Sequence, residues 1–288
     1  MPSVVAIVLN WCRESDTAAC IDSLLASDDQ SLGVLLVDNG SPDGSGDRLH
    51  ARYPTVSYLQ TGANLGYAAG NNRGMTTALE AGANYLLLLN DDTVVDRSCV
   101  RALVRAAEET GAAVVTPRIL YFDEPTIVWY DGGTISRLRA LGIHTGQDAP
   151  PDARRSRAPT SFVCGCCFLI RADVARDTGG FDERFFAYAE DVELSLRLSR
   201  DSHRAIHEPS AVVWHRQRRG AAPSSFQIVQ RDRNRRRLVR LHYSRSDRMA
   251  FALWFYPTRF AHFAGYAVRF DWGRAAAVWR GAFSGLAT

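Results

Sequence analysis

Lysine is absent from the 288 residues, so all 34 basic side chains are arginine, and methionine occurs only three times. An arginine bias spread along the whole chain reflects composition and carries no weight as a phosphate-binding signal. The formal net charge of +3 is too mild to demand nucleic acid as a partner. No helix-turn-helix, RNA-binding or zinc-finger pattern accompanies the arginine clusters, and nucleic acid is not expected. No uninterrupted apolar run reaches the ~20 residues that a membrane-spanning helix needs. The opening MPSVVAIVLNW lacks the basic start, long apolar centre and small-residue cleavage site of a secretory signal, so a cytoplasmic location is expected. Of six cysteines only Cys164, Cys166 and Cys167 cluster. CGCC has no second pair at a matching distance, so a two-knuckle zinc site is excluded and free buried thiols are expected. The turn after the first apolar run, NWCRES, has no glycine. That rules out the glycine-rich phosphate loop of sugar-phosphate nucleotidyltransferases and the GxGxxG turn of dinucleotide oxidoreductases.

What the chain does have is core-forming material: 46% of it is hydrophobic, and its length suits one large α/β domain or one domain plus an appendage. Val4–Leu9, Gly33–Val37, Val56–Leu59 and Tyr85–Leu89 are short apolar runs, as expected of parallel strands buried on both faces. Helical patterns over Thr17–Ser27 and Ala68–Ala81 separate them. That alternation predicts βαβ units, a mostly parallel sheet and a ligand site beyond the carboxyl ends of the strands. Residues 118–159 loosen into YFDEP, YDGG and a Pro/Arg-rich stretch and read as a surface excursion. Helices are expected again at Arg171–Thr178 and Val192–Ser199, with a last core strand at Ala211–Trp214.

Three constellations stand where such a sheet would present ligands. In LLLLNDDTVV a hydrophobic strand delivers Asp91 and Asp92 to a turn; paired carboxylates there suit Mg²⁺ or Mn²⁺, and equally suit the cap of a following helix. In FFAYAEDVELSLRL, Glu190 and Asp191 open a helix behind an aromatic approach. A carboxylate in that setting can serve as general base, although a helix N-terminus opposes any rise in its pKa, and capping would use the same residues. His215 follows the last strand directly, either as a metal or diphosphate ligand or as an ordinary buried imidazole.

The ordered segments IVLNW, LLVDNGSPDGS, NLGYAAGNNRG, LLLLNDDTVV, FVCGCCFLIRADV, GGFDERFFAYAEDVELSLRL and VVWH together resemble the family 2 glycosyltransferases of GT-A fold, in their rhamnosyltransferase-like branch. The resemblance runs from Val4 to about Arg240. It implies a GT-A domain over residues 1–240, with a donor half to about 117 and an acceptor half from 118, followed by a helical, Arg-rich and aromatic extension over 241–288. It implies that Leu9, Asn10 and Asp38 line the base and ribose pocket and that Asn64, Gly66 and Asn72 help hold the donor. Asp92 would be the metal-binding residue of the DxD element, with Asp91 in the middle position and Asn90 replacing the first Asp. Asp191 would deprotonate the acceptor hydroxyl, Glu190 would position it, and His215 would contact metal or diphosphate.

The reaction so implied is the inverting, metal-dependent transfer of a hexose from a dTDP- or UDP-sugar, dTDP-rhamnose included, to a hydroxyl of a glycan, lipid-linked or natural-product acceptor. A non-catalytic carbohydrate- or partner-binding protein on the same fold is the rival class, which loss of Asp92, Asp191 or His215 would mark; all three are present. Several readings of the tail stay open. Its arginines would meet an anionic lipid surface or a diphosphate-linked acceptor, or form a solvated helical face with Leu238, Val239 and Leu241 turned inward. The aromatic MAFALWFYPTRFAHFAGYAVRF segment would make peripheral membrane contact, pack in a homodimer, or simply cover the core.

Overall fold

The computed structural model describes residues 2–152 and 155–285; residues 153 and 154 of the Pro/Arg-rich stretch and 286–288 of the extension lie outside them. The donor-side strands are β1 (Val4–Asn10), β2 (Leu32–Asp38), β3 (Ser57–Gln60) and β4 (Tyr85–Asn90). They alternate with α1 (Glu14–Leu25), α2 (Ser45–Arg52) and α3 (Gly66–Glu80). All four strands are parallel, in the order β3-β2-β1-β4. VVAIVLN and YLLLLN have no polar residue before their last position because helices cover both faces of these strands. Leu86, Leu87, Leu88 and Leu89 are fully buried, each such side chain contributing about 1.5–3 kcal/mol.

After β4 come β5 (Thr93–Val95), α4 (Cys99–Thr110) and β6 (Val114–Tyr121), then β7 (Val128–Tyr130), β8 (Gly133–Ser136), β9 (Leu141–His144) and β10 (Ala158–Pro159). The acceptor side continues with β11 (Cys167–Arg171), α5 (Ala172–Thr178), α6 (Glu190–Arg200) and β12 (Ala205–His215). β11 runs antiparallel between β4 and β6, and β12 lies parallel to β6, extending the sheet across the molecule. The 118–159 stretch is therefore not a surface excursion. Its short strands extend the sheet and form a hairpin, β8 on β9, and Tyr130 at its centre is fully buried. Strands of three or four residues carry too little alternation to be read from sequence.

One core cluster lies between the sheet and α1, α2 and α4; the other lies under α3, α5 and α6. The close approach of α3 to β1 depends on Gly74, where a Cβ would stand 2.5 Å from Ile7 Cγ2. The chain ends in α7 (Ser225–His242), α8 (Arg245–Val268) and α9 (Trp272–Phe283). Ser224 opens α7 with a capping box: its hydroxyl accepts from Gln227 N–H, and the Gln227 side chain accepts from Ser224 N–H. Ile228 packs on Ala277 and Val278 of α9, and the Arg236 guanidinium donates to the α9 end at Gly281 O and Ser284 O, satisfying carbonyls the helix leaves unpaired. Phe251 and Phe255 of α8, with Leu238 and Val239 of α7, enter the same core cluster as β1 and β4.

Candidate active site

The carboxyl ends of β1, β2 and β4 bring Asn10, Asp38 and the Asn90–Asp92 turn to one edge, as the sheet topology requires. Asn10 is fully buried and committed at both ends of its amide. Its Nδ2 donates to Asp38 Oδ1 at 2.9 Å, Ser41 Oγ at 3.0 Å and Ser45 Oγ at 3.1 Å, and its Oδ1 accepts from the Thr17 hydroxyl. Asp38 also accepts from Ser41 and from the Gln60 amide. These two residues tie the β1 and β2 turns together. Leu9 lies beneath them, its Cδ1 facing Gly70 of α3.

Asn64 Oδ1 accepts from Gly66 N–H at 2.9 Å and from Asn39 Nδ2, which organises the entry to α3. Gly66 has φ +83°, and a Cβ there would stand 2.5 Å from Phe186, so only glycine lets the 184–189 loop close on α3. Asn72 faces that loop's approach. Its amide donates to Phe181 O and Glu183 Oε1 and accepts from Phe181 N–H.

At the β4 turn, Asp92 Oδ1 lies 3.1 Å from His215 Nε2, and among the described residues neither that buried oxygen nor His215 Nδ1 has a well-aligned hydrogen-bond partner. β5 pairs antiparallel with the end of β12, Thr93 opposite His215, and this register puts the imidazole beside the carboxylate. Trp129 of β7 packs edge-on against His215 at 4.6 Å, so the 118–159 stretch walls this corner. Arg13, at the start of α1, reaches Asp92 Oδ2 at 3.1 Å and Asp91 Oδ1 at 3.8 Å while held by Asp16. Burial pushes the Asp91 carboxyl up to about 7, with Arg13 opposing and Asp92 adding to the rise. Burial works on Asp92 in the same sense, but His215 and Arg13 outweigh it and hold that group below the ordinary carboxylate value.

A divalent cation fits this corner: Asp92 Oδ1 is an anionic oxygen without a well-aligned donor among the described residues, and an imidazole nitrogen faces it. Among the described residues no three His, Cys, Asp or Glu side chains surround one point. The protein would thus supply Asp92 and His215, with phosphate oxygens and water completing the shell.

The second acidic centre opens α6. Tyr188 and Ala189 both hold the left-handed conformation, φ +70° and +69°, a strained entry costing about 1–2 kcal/mol per non-glycine residue. The strain is held in place by α7. Buried Asn234 donates both amide hydrogens, to Ala187 O at 2.9 Å and Tyr188 O at 2.8 Å. Arg231 stacks 5.0 Å over the Tyr188 ring, and Phe226 meets the Phe186 and Tyr188 rings. The turn delivers Glu190 buried, its Oε2 without a hydrogen-bond partner among the described residues, and Asp191 half-buried and still partly open to solvent. Burial raises both carboxyls; Asp191 adds to the rise at Glu190, while the backbone N–H groups of Gly165 and Val192 and the charge of Arg231 restrain it at Asp191. The helix N-terminus does oppose the rise, as expected, but desolvation wins.

The two centres are joined by CGCC. Cys166 O accepts from Asn90 N–H at 2.9 Å, and Gly165 N–H donates to Asp191 Oδ2 at 3.1 Å. Adjacent residues of one segment thus touch the β4 turn and the α6 carboxylate. The six thiols are free, and those of Cys164, Cys166 and Cys167 are buried and held protonated by desolvation. Arg13, Trp129, Gly165 and Asn234 carry no local signal in the sequence, since each acts on a residue dozens of positions away.

Comparison with known proteins agrees with this geometry. Residues 3–179 match the family model described as glycosyl transferase family 2. The chain is 32% identical over 214 residues to the N-acetylglucosaminyl-diphospho-decaprenol L-rhamnosyltransferase of Mycobacterium tuberculosis, covering 67% of this chain and 69% of that protein. It is 32% identical over 208 residues to galactofuranosyltransferase GlfT1 of the same organism, covering 69% and 65%. Among solved structures it is similar to the Pyrobaculum calidifontis mannosyltransferase PcManGT in complex with GDP-Man and Mn²⁺, with TM-score 0.60, 16% identity and 98% and 86% coverage. It is also similar to GalNAc-T7 with UDP, GalNAc and Mn²⁺, with TM-score 0.64, 14% identity and 84% and 48% coverage. With a GT-A-like sheet, two acidic centres at its carboxyl edge and a family match over more than half its length, this chain belongs to glycosyl transferase family 2 and is a rhamnosyltransferase-like glycosyltransferase.

Proposed function

We propose that the protein transfers a hexose, with inversion, from a dTDP- or UDP-linked donor to a hydroxyl of a saccharide acceptor carried on a polyprenyl diphosphate, at the cytoplasmic face of the membrane. dTDP-rhamnose is the first donor to test, because the M. tuberculosis relative is named a rhamnosyltransferase acting on a diphospho-decaprenol-linked sugar. The observation that carries the reading is the CGCC bridge, which links the turn holding Asp92 to Asp191 through Asn90 and Gly165. A leaving-group site and a proton-accepting site held at a set separation are what a single displacement needs.

In that reaction the acceptor oxygen forms a bond to the anomeric carbon and its proton passes to Asp191. The bond from that carbon to the donor phosphate breaks, with its electron pair leaving on the nucleoside diphosphate from the opposite face, so configuration inverts. Asp191 keeps solvent access for the acceptor, and its raised affinity for a proton suits a general base. Glu190, whose proton burial and the neighbouring carboxylate hold more tightly, lies beside it and positions it. Mg²⁺ or Mn²⁺ at Asp92 and His215, when bound, neutralises charge on the departing diphosphate. Leu9, Asn10, Asp38, Asn64, Gly66 and Asn72 shape the donor side, as scaffolding of the β1, β2 and α3 turns.

The test is calorimetric titration of UDP, dTDP and GDP and their sugars with and without Mn²⁺, using Asp92→Asn as control, followed by NMR of the product's anomeric configuration. Metal-dependent binding of one nucleotide, weakened by Asp92→Asn, with an inverted product, is expected. Absence of nucleotide binding in both conditions, or a retained configuration, would overturn the reading.

A further inference from the structure

We propose that α8 and α9 together form a face that docks on an anionic lipid bilayer. Both helices bury one ridge and leave an apolar ridge on the opposite side. On α8 the inward ridge is Phe251 and Phe255, while Met249, Leu253, Tyr256 and Phe260, spaced i, i+4, i+7, i+11, point to solvent. On α9 the inward ridge is Ala277, Val278 and Gly281, and Trp279 and Phe283 are exposed. The two ridges meet, with the Tyr256 and Phe283 rings 5.5 Å apart and those of Trp279 and Phe283 4.6 Å apart. Leu253 is 73% exposed, Phe260 63% and Trp279 52%. A solvent-exposed surface of this size and continuity on two packed helices needs an occupant.

Charge names the occupant. Residues 216–288 contain 15 arginines and three acidic residues, net +12, whereas residues 1–215 contain 19 arginines and 28 acidic residues, net −9. The apolar face thus sits in the cationic C-terminal quarter of a polarised chain, and Arg245, Arg248 and Arg280 stand exposed on the same two helices, with Arg269 exposed at the C-cap of α8. A second copy paired through this face would oppose two cationic surfaces, whereas anionic headgroups complement them. Arginine around aromatic and aliphatic side chains on a surface helix is the pattern that lies in a bilayer interface. No described helix is long and apolar enough to cross a membrane, so the helices lie along the surface. The proposal does not depend on the sugar-transfer reading.

The full chain would be sedimented with vesicles of phosphatidylcholine alone and of phosphatidylcholine with phosphatidylglycerol. Binding to the anionic vesicles, weakened by salt, is expected, with a blue shift of tryptophan emission from Trp272 and Trp279 and quenching by brominated acyl chains. The combined variant Leu253→Ser, Phe260→Ser, Trp279→Ser should bind about tenfold more weakly or worse with an unchanged far-UV circular dichroism spectrum. Asp92→Asn should bind vesicles as the parent does, which separates this inference from the catalytic one. No binding by the parent, binding that survives the triple substitution, or an ultracentrifugal dimer that the triple substitution dissolves would each overturn the proposal, the last in favour of a second copy. If the triple variant unfolds, quenching of the parent by brominated lipid decides alone.

Discussion

At the scale of the residue, the two carboxylates that open α6 are adjacent but not equivalent. Glu190 is buried with one oxygen lacking a hydrogen-bond partner among the described residues, while Asp191 has two backbone N–H donors and the charge of Arg231 favouring ionisation. These contacts favour the ionised form at Asp191 more than at Glu190. Asp191→Asn should lower kcat by about 10²–10⁴-fold with donor binding retained in calorimetry. Glu190→Gln, which reproduces the neutral state, should lower it far less at neutral pH. The acid limb of kcat/KM should fall at a pH above the ordinary carboxylate range, because the base must lose its proton and burial raises its pKa. Stability moves the other way. A carboxyl whose pKa is raised in the folded state binds its proton more tightly there than in the unfolded chain, so stability is lost as pH rises from the ordinary glutamate value through the raised one. Glu190→Gln removes that dependence, and chemical denaturation at a series of pH values should show the variant gaining on the parent as pH increases.

At the scale of the element, the strained turn before α6 is made by residues that would not choose it alone. Tyr188 and Ala189 in the left-handed region oppose folding of the turn, and two hydrogen bonds from Asn234, each worth about 0.5–1.5 kcal/mol, offset much of that cost. Asn234→Leu should let the turn relax, lowering kcat about tenfold or more with little change in the donor KM. Ala189→Gly on that background should restore part of the loss, because glycine adopts the same φ without a Cβ clash. A helix that merely filled space would show no such rescue. Legibility follows the same division. β1, β2 and β4 are readable because a strand buried on both faces must be apolar throughout, and Asp91, Asp92, Glu190, Asp191 and His215 stand at the ends of such runs or helices. Trp129 and Asn234 are unreadable because one sits in a three-residue strand and the other in an arginine-dense helix, and both act across the fold. The 118–159 stretch reads as a loop for the same reason, since its Pro, Gly and Asp residues are real turns between strands too short to show a period.

At the scale of the whole molecule, the tail and the sheet are one cooperative body, although their charges are opposite in sign. Phe255 of α8 is fully buried, stacked on Phe251 at 4.7 Å under the Arg235 guanidinium, and belongs to the cluster that contains Leu87 and Leu89 of β4. Contacts from the β8–β9 hairpin close the arrangement, with Arg139 over Trp254 and Arg137 over Tyr243. Phe255→Ala should cost about 3–5 kcal/mol, because the cavity lies in a continuous core. If α8 were an independent appendage, that cost would fall on the tail alone. With a shared core, the slowest-exchanging amides of Leu86–Leu89 must lose protection together with those of α8, since their exchange requires opening of the same packed unit. Native-state hydrogen exchange on the parent and on Phe255→Ala measures this directly. Equal loss of protection in β4 and α8 is the expected result, and unchanged β4 protection would mean that the C-terminal helices open without the sheet.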